Sequence, residues 1–232
     1  MTQPVNTETI ILKNKYYSRG LREIDTWKYY QKVKTNLLNE VRNRDLMFII
    51  MTDVNKPIIR KKTDQKNFIR LTSNNYNKLI SGRTLSIHSS MSSYESMGII
   101  DIDIDPRDNI AWARKAAYDV YEFVMDKMPI VSSASIRFTG KTSFHIICNF
   151  NRKMKIDSIK YLFETFLRKS DLSRIYTIGE KRKSGVVNLD LDRNCKGCNF
   201  ITLHSLSILG LRCMEVPYQS ILNFNPMEAL LK

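Results

Sequence analysis

Residues 100–106 read Ile-Asp-Ile-Asp-Ile-Asp-Pro, and only one regular structure suits that alternation. In a strand successive side chains point to opposite faces, so Ile100, Ile102 and Ile104 share one face and Asp101, Asp103 and Asp105 the other. Aspartate is disfavoured in strands, and clustered like charges repel, so the segment calls for a compensating cation. Positions i and i+2 lie about 6–7 Å apart along a strand. Carboxylates at that spacing can reach two divalent ions about 3.5–4 Å apart. Residues 187–192, Val-Asn-Leu-Asp-Leu-Asp, repeat the pattern, with Leu189 and Leu191 on one face and Asp190 and Asp192 on the other. Two such strands supply the hard oxygen donors that Mg²⁺ or Mn²⁺ takes. The alternative for a single such strand is a solvated acidic face with no ligand, and the second strand weighs against it.

The chain as a whole has the opposite charge. Lys and Arg number 37 against 23 Asp and Glu, a formal +14 over 232 residues. Such a balance points to a polyanionic partner, most commonly nucleic acid, with solubility as the alternative reason for the charge. One basic tract runs over 55–70, with Lys56, Arg60, Lys61, Lys62, Lys66 and Arg70 around Phe68. A second, over 152–183, carries ten Lys or Arg against four acids. Either tract could follow a phosphate backbone, with exposed aromatics stacking on template bases. A hydrophobic fraction of 43% excludes wholesale disorder. No apolar run approaches the ~18–20 residues that cross a bilayer, and residues 1–8 have neither a basic nor an apolar leader region. The expectation is therefore a cytoplasmic, DNA-associated chain with no membrane partner. Four cysteines (Cys148, Cys195, Cys198, Cys213) are too few and too unevenly spaced for a disulfide scaffold. Cys195-Lys-Gly-Cys198 has half the spacing of a zinc knuckle and no second such pair, so ordinary thiols are expected.

No repeat, low-complexity segment or flexible linker divides the sequence, so one unit over 1–232 is expected. Helical spacing predicts helices over 25–42 (N-capped by Asp25), 75–80, 108–128 and 156–167. Strands are predicted over 46–51, 68–71, 84–88, 98–104, 135–139, 144–150, 186–191 and 200–206. Helices and strands mix without strict alternation, which gives an α+β class with a mainly antiparallel or mixed sheet.

Between the acidic strands lies Arg137-Phe-Thr-Gly-Lys-Thr-Ser-Phe-His145. Its Gly140-Lys141-Thr142 looks like part of a phosphate-binding P-loop, but Ser135 stands where that loop needs its first glycine. A strand follows instead of a helix, so the backbone cradle at a helix N-terminus is missing. A turn with a glycine, two hydroxyls and Lys141 can still hold phosphate oxygens.

Asp103-Ile-Asp105-Pro106, then Thr139-Gly140 with His145, then Leu189-Asp190 follow the motif order of the archaeo-eukaryotic primase superfamily, which this chain resembles. The closer likeness is to the polymerase domain of bacterial ligase D. Asp190-Leu-Asp-Arg193-Asn194 is similar to its Asp-x-x-Arg-Asn segment, and Ser86-Ile87-His88 to its Glu-Ile-His strand end. Residues 24–45 resemble its N-terminal helix. The resemblance implies a primase-polymerase fold with an RRM-like catalytic half and mixed or antiparallel sheets flanked by helices. The N-terminal portion would cover about 1–85 and the catalytic motifs about 86–215. It makes Asp103, Asp105 and Asp190 the catalytic ligands of a two-ion Mg²⁺ or Mn²⁺ site. Thr139, Lys141 and His145 would hold the triphosphate, and His88 would lie near the sugar. Asp101 and Asp192 are extra to the motif and are expected behind the ligands or at the surface. The family's Gly-Gly-Lys-Gly turn is Gly140-Lys141-Thr142-Ser143 here. Its late arginine is Ser207, with Arg212 the candidate to replace it. The implied activity is template-dependent nucleotidyl transfer from an NTP or dNTP to a primer end, in DNA repair, end joining or priming. Lys61, Lys62, Lys66 and Phe68 are the candidate DNA contacts. Implied partners are DNA template and primer, nucleoside triphosphates and a repair or replication protein. Alternatives are the catalytic small subunit of a replicative primase, or a non-catalytic nucleic-acid-binding module that keeps the fold.

Overall fold

Alternating segments become strands and 3.6-periodic segments become helices, as a computed structural model describing residues 7–61, 67–180 and 183–231 shows. In chain order the first half runs β1 (Ile10–Leu12), β2 (Leu21–Arg22), α1 (Glu23–Lys32), α2 (Lys34–Glu40), β3 (Leu46–Asp53), β4 (Lys56–Arg60), α3 (Tyr76–Leu79) and β5 (Thr84–Ser90). Next come β6 (Tyr94–Asp103), α4 (Ile110–Lys127), β7 (Val131–Phe138), β8 (Phe144–Lys155) and α5 (Ile156–Arg168). Four short strands follow: β9 (Thr177–Ile178), β10 (Asn188–Asp190), β11 (Asn199–Ile201) and β12 (Met214–Glu215). The class is α+β, as expected. No helix among the described residues is long and apolar enough to cross a membrane.

The chain divides into two compact units that interleave in sequence. The first takes Met1–Ser90, Asn199–Met214 and Pro226–Lys232. It holds the β1-β2 pair and an antiparallel sheet ordered β11-β5-β3-β4. Its core gathers Tyr30, Leu37, Phe48, Tyr76, Leu85 and Ile87. The buried tyrosines are satisfied: Tyr30 donates to the Leu85 carbonyl at 3.1 Å and Tyr76 to the Tyr30 carbonyl at 2.6 Å.

Three local expectations are corrected in this unit. Helix 25–42 starts two residues earlier, and Asp25 is not its cap. Asp25 reaches back to the Arg22 N–H (3.3 Å) and guanidinium (3.0 Å), half of a capping box. The helix is also split at Val33 (φ −95°, ψ 5°), although the Leu37 N–H still bonds the Val33 carbonyl at 2.9 Å. Strand 68–71 reduces to bridge positions at Phe68 and Ile69, with Ile69 opposite Leu46.

The second unit takes Met91–Cys198 and Glu215–Asn225. Its sheet is ordered β12-β7-β8-β6-β10-β9. Strand β6 pairs antiparallel with β8 and with β10, while β9 and β10 run parallel. One face of β6 carries Gly98, Ile100 and Ile102, all buried or closely covered, with Gly98 against α5. A Cβ on Gly98 would sit 2.5 Å from the Phe163 ring and 2.6 Å from Ile159, both fully buried. Those side chains have nowhere to move, so Gly98→Val is expected to cost about 1–3 kcal/mol as overpacking. A denaturant midpoint shift at unchanged m-value checks this. With that face closed by the helix, the odd-numbered residues of β6 must serve the other face.

Candidate active site

Strand register builds the site. On β6, Asp101 stands opposite His145 of β8 on one side and Asp190 of β10 on the other. On β7, Arg137 stands opposite His145. Directly opposed residues of antiparallel strands share a face, so Arg137, His145, Asp101 and Asp190 form one row across four strands. Asp103 follows two residues on, facing the same way, opposite Asn188. Three members of the row are nearly inaccessible: Arg137 is 8% exposed, His145 3% and Asp101 4%.

Each carboxylate is held differently. An Asp101 oxygen (Oδ2) accepts from Arg193 Nε at 3.2 Å, and its Oδ1 lies 3.6 Å from His145 Nε2. Burial alone would raise the Asp101 pKa, but the charges of His145 and Arg193, with the Arg193 hydrogen bond, outweigh it and hold it below the usual value. Asp103 Oδ1 accepts from the Ser143 hydroxyl at 3.0 Å. Asp190 Oδ1 accepts from the Asp192 N–H at 2.8 Å. Burial raises the Asp190 pKa, and the neighbouring charges of Asp101 and Asp192 raise it further. Behind the row, Asn194 is fully buried and exchanges two hydrogen bonds with the Ile99 backbone, at 2.8 and 2.6 Å. That anchor fixes the segment carrying Arg193.

The turn between β7 and β8 carries Thr139, Gly140, Lys141, Thr142 and Ser143, and it opens into a strand as the P-loop argument required. Gly140 takes φ +80°, which its lack of a Cβ allows. Both the Thr139 N–H and its hydroxyl bond the Ser143 carbonyl, at 3.1 and 3.0 Å, closing the turn. Lys141 is exposed at its tip.

Asp105 lies past the end of β6, and its carboxylate takes a bidentate pair from Arg107 at 2.8 and 2.9 Å. Among the described residues, no three His, Cys, Asp or Glu side chains form a ready metal-holding group. The donor chemistry nonetheless suits a hard divalent ion: oxygen donors on one face, one of them with its pKa raised by burial and then by its acidic neighbours. His88 and Arg212 belong to the first unit. His88 Nε2 meets Ser86 Oγ at 2.9 Å, and the Arg212 guanidinium donates to the Glu228 and Ala229 carbonyls. Lys61 and Phe68 are exposed in that unit, Phe68 by 60%, whereas Lys62 and Lys66 lie outside the described residues.

Of the two extra aspartates, Asp101 lies buried at the centre of the row, while Asp192 is exposed and pairs with Lys160 at 2.6 Å. The β6 alternation placed Asp101 on the acidic face, but its neighbours become visible only once register is known. One expectation changes here, at Cys195 and Cys198, which form a disulfide rather than remaining thiols. The Cys198 N–H bonds the Cys195 carbonyl at 3.1 Å, and this turn brings the Cα atoms to 5.3 Å, within bridging range. Cys148 and Cys213 are buried thiols.

The fold is one already seen in a solved polymerase domain. The chain is similar to the polymerase domain of Ligase D from Mycobacterium tuberculosis, solved in complex with DNA, with a TM-score of 0.77 at 12% identity. The match covers 94% of this chain and 88% of that one. No protein-family model matches the chain, and no curated protein matches it in sequence. At this identity the likeness is one of fold.

Proposed function

We propose that this chain is a template-dependent nucleotidyltransferase that adds an NTP or dNTP to a primer end on DNA, in repair, end joining or priming. The observation that carries the reading is the register of Asp101, His145 and Asp190 across three adjacent strands, on a fold shared with a polymerase domain. In this reading Asp103, Asp105 and Asp190 hold Mg²⁺ or Mn²⁺. Those ions, when bound, supply charge stabilisation to the triphosphate and lower the pKa of the primer hydroxyl. Asp105 would have to release Arg107 to hold a metal ion. His145, Thr139 and Lys141 grip the triphosphate from strand and turn, keeping the reacting phosphorus in line. His88 keeps the place near the sugar that the family likeness implies, and Arg212 is the candidate to supply the charge that Ser207 lacks. Lys61, Lys62, Lys66 and Phe68 track the DNA.

A labelled primer extended on gapped, overhanging and bare single-stranded templates, with Mg²⁺ and Mn²⁺ compared, tests the activity. Lys141→Ala is expected to raise the apparent nucleotide KM about tenfold or more, the worth of one hydrogen bond to a charged group. Arg212→Ala, assayed in parallel, tests its assignment independently. Unchanged nucleotide affinity in both would mean that the phosphates bind elsewhere. A non-catalytic binding module is favoured by one observation, the Asp105–Arg107 ion pair. Template binding without incorporation under either metal would select it.

A further inference from the structure

We infer that Asp101 is a positioning residue that aims the His145 imidazole at the bound nucleotide, a role that rests on the polymerase reading for what His145 meets. Metal ligation leaves Asp101 unused, yet it is the most enclosed carboxylate of the row. A buried carboxylate is costly unless charged or hydrogen-bonding partners compensate it. Asp101 has two, from different elements: His145 on β8 and Arg193 after β10. Both of its oxygens thus face bases, an arrangement suited to holding side chains in place.

Register makes the His145 contact obligatory, because the two residues are direct cross-strand partners. The ring's Nε2 faces Asp101 at 3.6 Å, an ion-pair distance just beyond a hydrogen bond. Its other nitrogen, Nδ1, is buried with no hydrogen-bond partner. Buried polar atoms are almost always satisfied, so an orphan in a site points to a ligand atom. A phosphate oxygen at Nδ1 would leave the ring between two anions, donating from each nitrogen. Contacts of this kind are often long before substrate arrives and tighten on binding. Arg193 holds the far oxygen of Asp101, and Asn194 pins Arg193's segment to Ile99. The chain of constraint therefore runs from Asn194 through Arg193 and Asp101 to His145.

A double-mutant cycle tests this with two readouts: direct binding of a fluorescent nucleoside triphosphate, and steady-state primer extension. Asp101→Asn keeps the size and one acceptor oxygen but removes the charge. It is expected to weaken nucleotide binding about tenfold, raising KM more than it lowers kcat. In a His145→Ala background the same change is expected to have no further effect, since its route is gone. Arg193→Gln, at a half-exposed side chain, loosens Asp101 from the other side without emptying the buried position. It should shift affinity in the same direction and fall silent in the same background, which keeps the test open if Asp101→Asn does not fold. Additive losses in the double variants, or unchanged affinity in the folded single variants, overturn the inference. So does unchanged affinity coupled to a higher metal requirement, which would make Asp101 a metal ligand. A chain that binds nucleotide but extends no primer overturns the polymerase reading and leaves the cycle readable. A chain that binds no nucleoside triphosphate overturns both.

Discussion

Asp190→Ala is expected to abolish nucleotide incorporation while leaving the fold intact. The expected loss is about 10³-fold or more, because metal-borne charge stabilisation is worth several kcal/mol and each 1.36 kcal/mol is tenfold in rate. Asp103→Ala should match it. Asp105→Ala should match it as well if Asp105 releases Arg107 to bind metal. Stability supplies a second signature. The Asp190 pKa is raised, first by burial and then by the charges of Asp101 and Asp192. A carboxylate with a raised folded-state pKa holds its proton more tightly when folded, so its ionised form costs stability at neutral pH. Metal-free Asp190→Asn is therefore expected to melt higher than the parent at pH 7. That gain disappears as pH falls below the ordinary carboxylate pKa, where both states of the parent are protonated. A residue that lowers stability when ionised yet is required for turnover is placed for a ligand rather than for the fold. Single-turnover extension and metal-free melting curves, run on the same variants, measure the two effects. Full activity in Asp190→Ala would remove the metal assignment.

Much of this architecture was legible in the residues, because period-2 and period-3.6 patterns are local properties. The alternation around Ile100 predicts β6 to within a few residues, and the apolar stripe of Ala113, Ala116, Val120 and Val124 predicts α4. The β7-β8 hairpin follows from Gly140 flanked by two alternating runs. What failed was non-local or short. Strand β4 (Lys56–Arg60) is exposed at Ile58 and Ile59, so its sequence reads as a basic tract rather than a buried strand. Strand β11 is three residues long because Thr202 and Ser205 turn to bond the neighbouring strand, Thr202 Oγ1 donating to the Ile87 carbonyl at 2.8 Å. At the site, alternation assigned the acidic faces but could not say which carboxylate meets which partner. Register alone put Asp101 between His145 and Asp190. The position of Asp105 beyond the strand end likewise depends on where pairing with β10 stops, at Asp103 opposite Asn188.

DNA affinity is expected to fall by about 10³-fold or more between 50 and 200 mM salt, the result for a surface that neutralises six or more phosphates. The net +14 supplies ample cations for such a footprint. Each neutralised phosphate releases a condensed counterion, so the slope of log affinity against log salt counts the contacts. Lys61 and Phe68 separate the two components of binding. Lys61 is exposed one residue after β4 ends, and its contribution would be purely electrostatic. Lys61→Glu should therefore lower affinity at low salt and flatten the slope by about one unit or more. Phe68, 60% exposed, offers a ring face on which a base can stack. Phe68→Ala should cost about 1–3 kcal/mol for single-stranded template while leaving the salt slope where it was. Neither change should alter nucleotide affinity measured without DNA. Titrations of a labelled overhang template at four salt concentrations distinguish the outcomes. A flat salt dependence would mean that the excess charge serves solubility. A Phe68 variant with altered slope but unaltered high-salt affinity would mean that the ring positions neighbouring cations and does not stack.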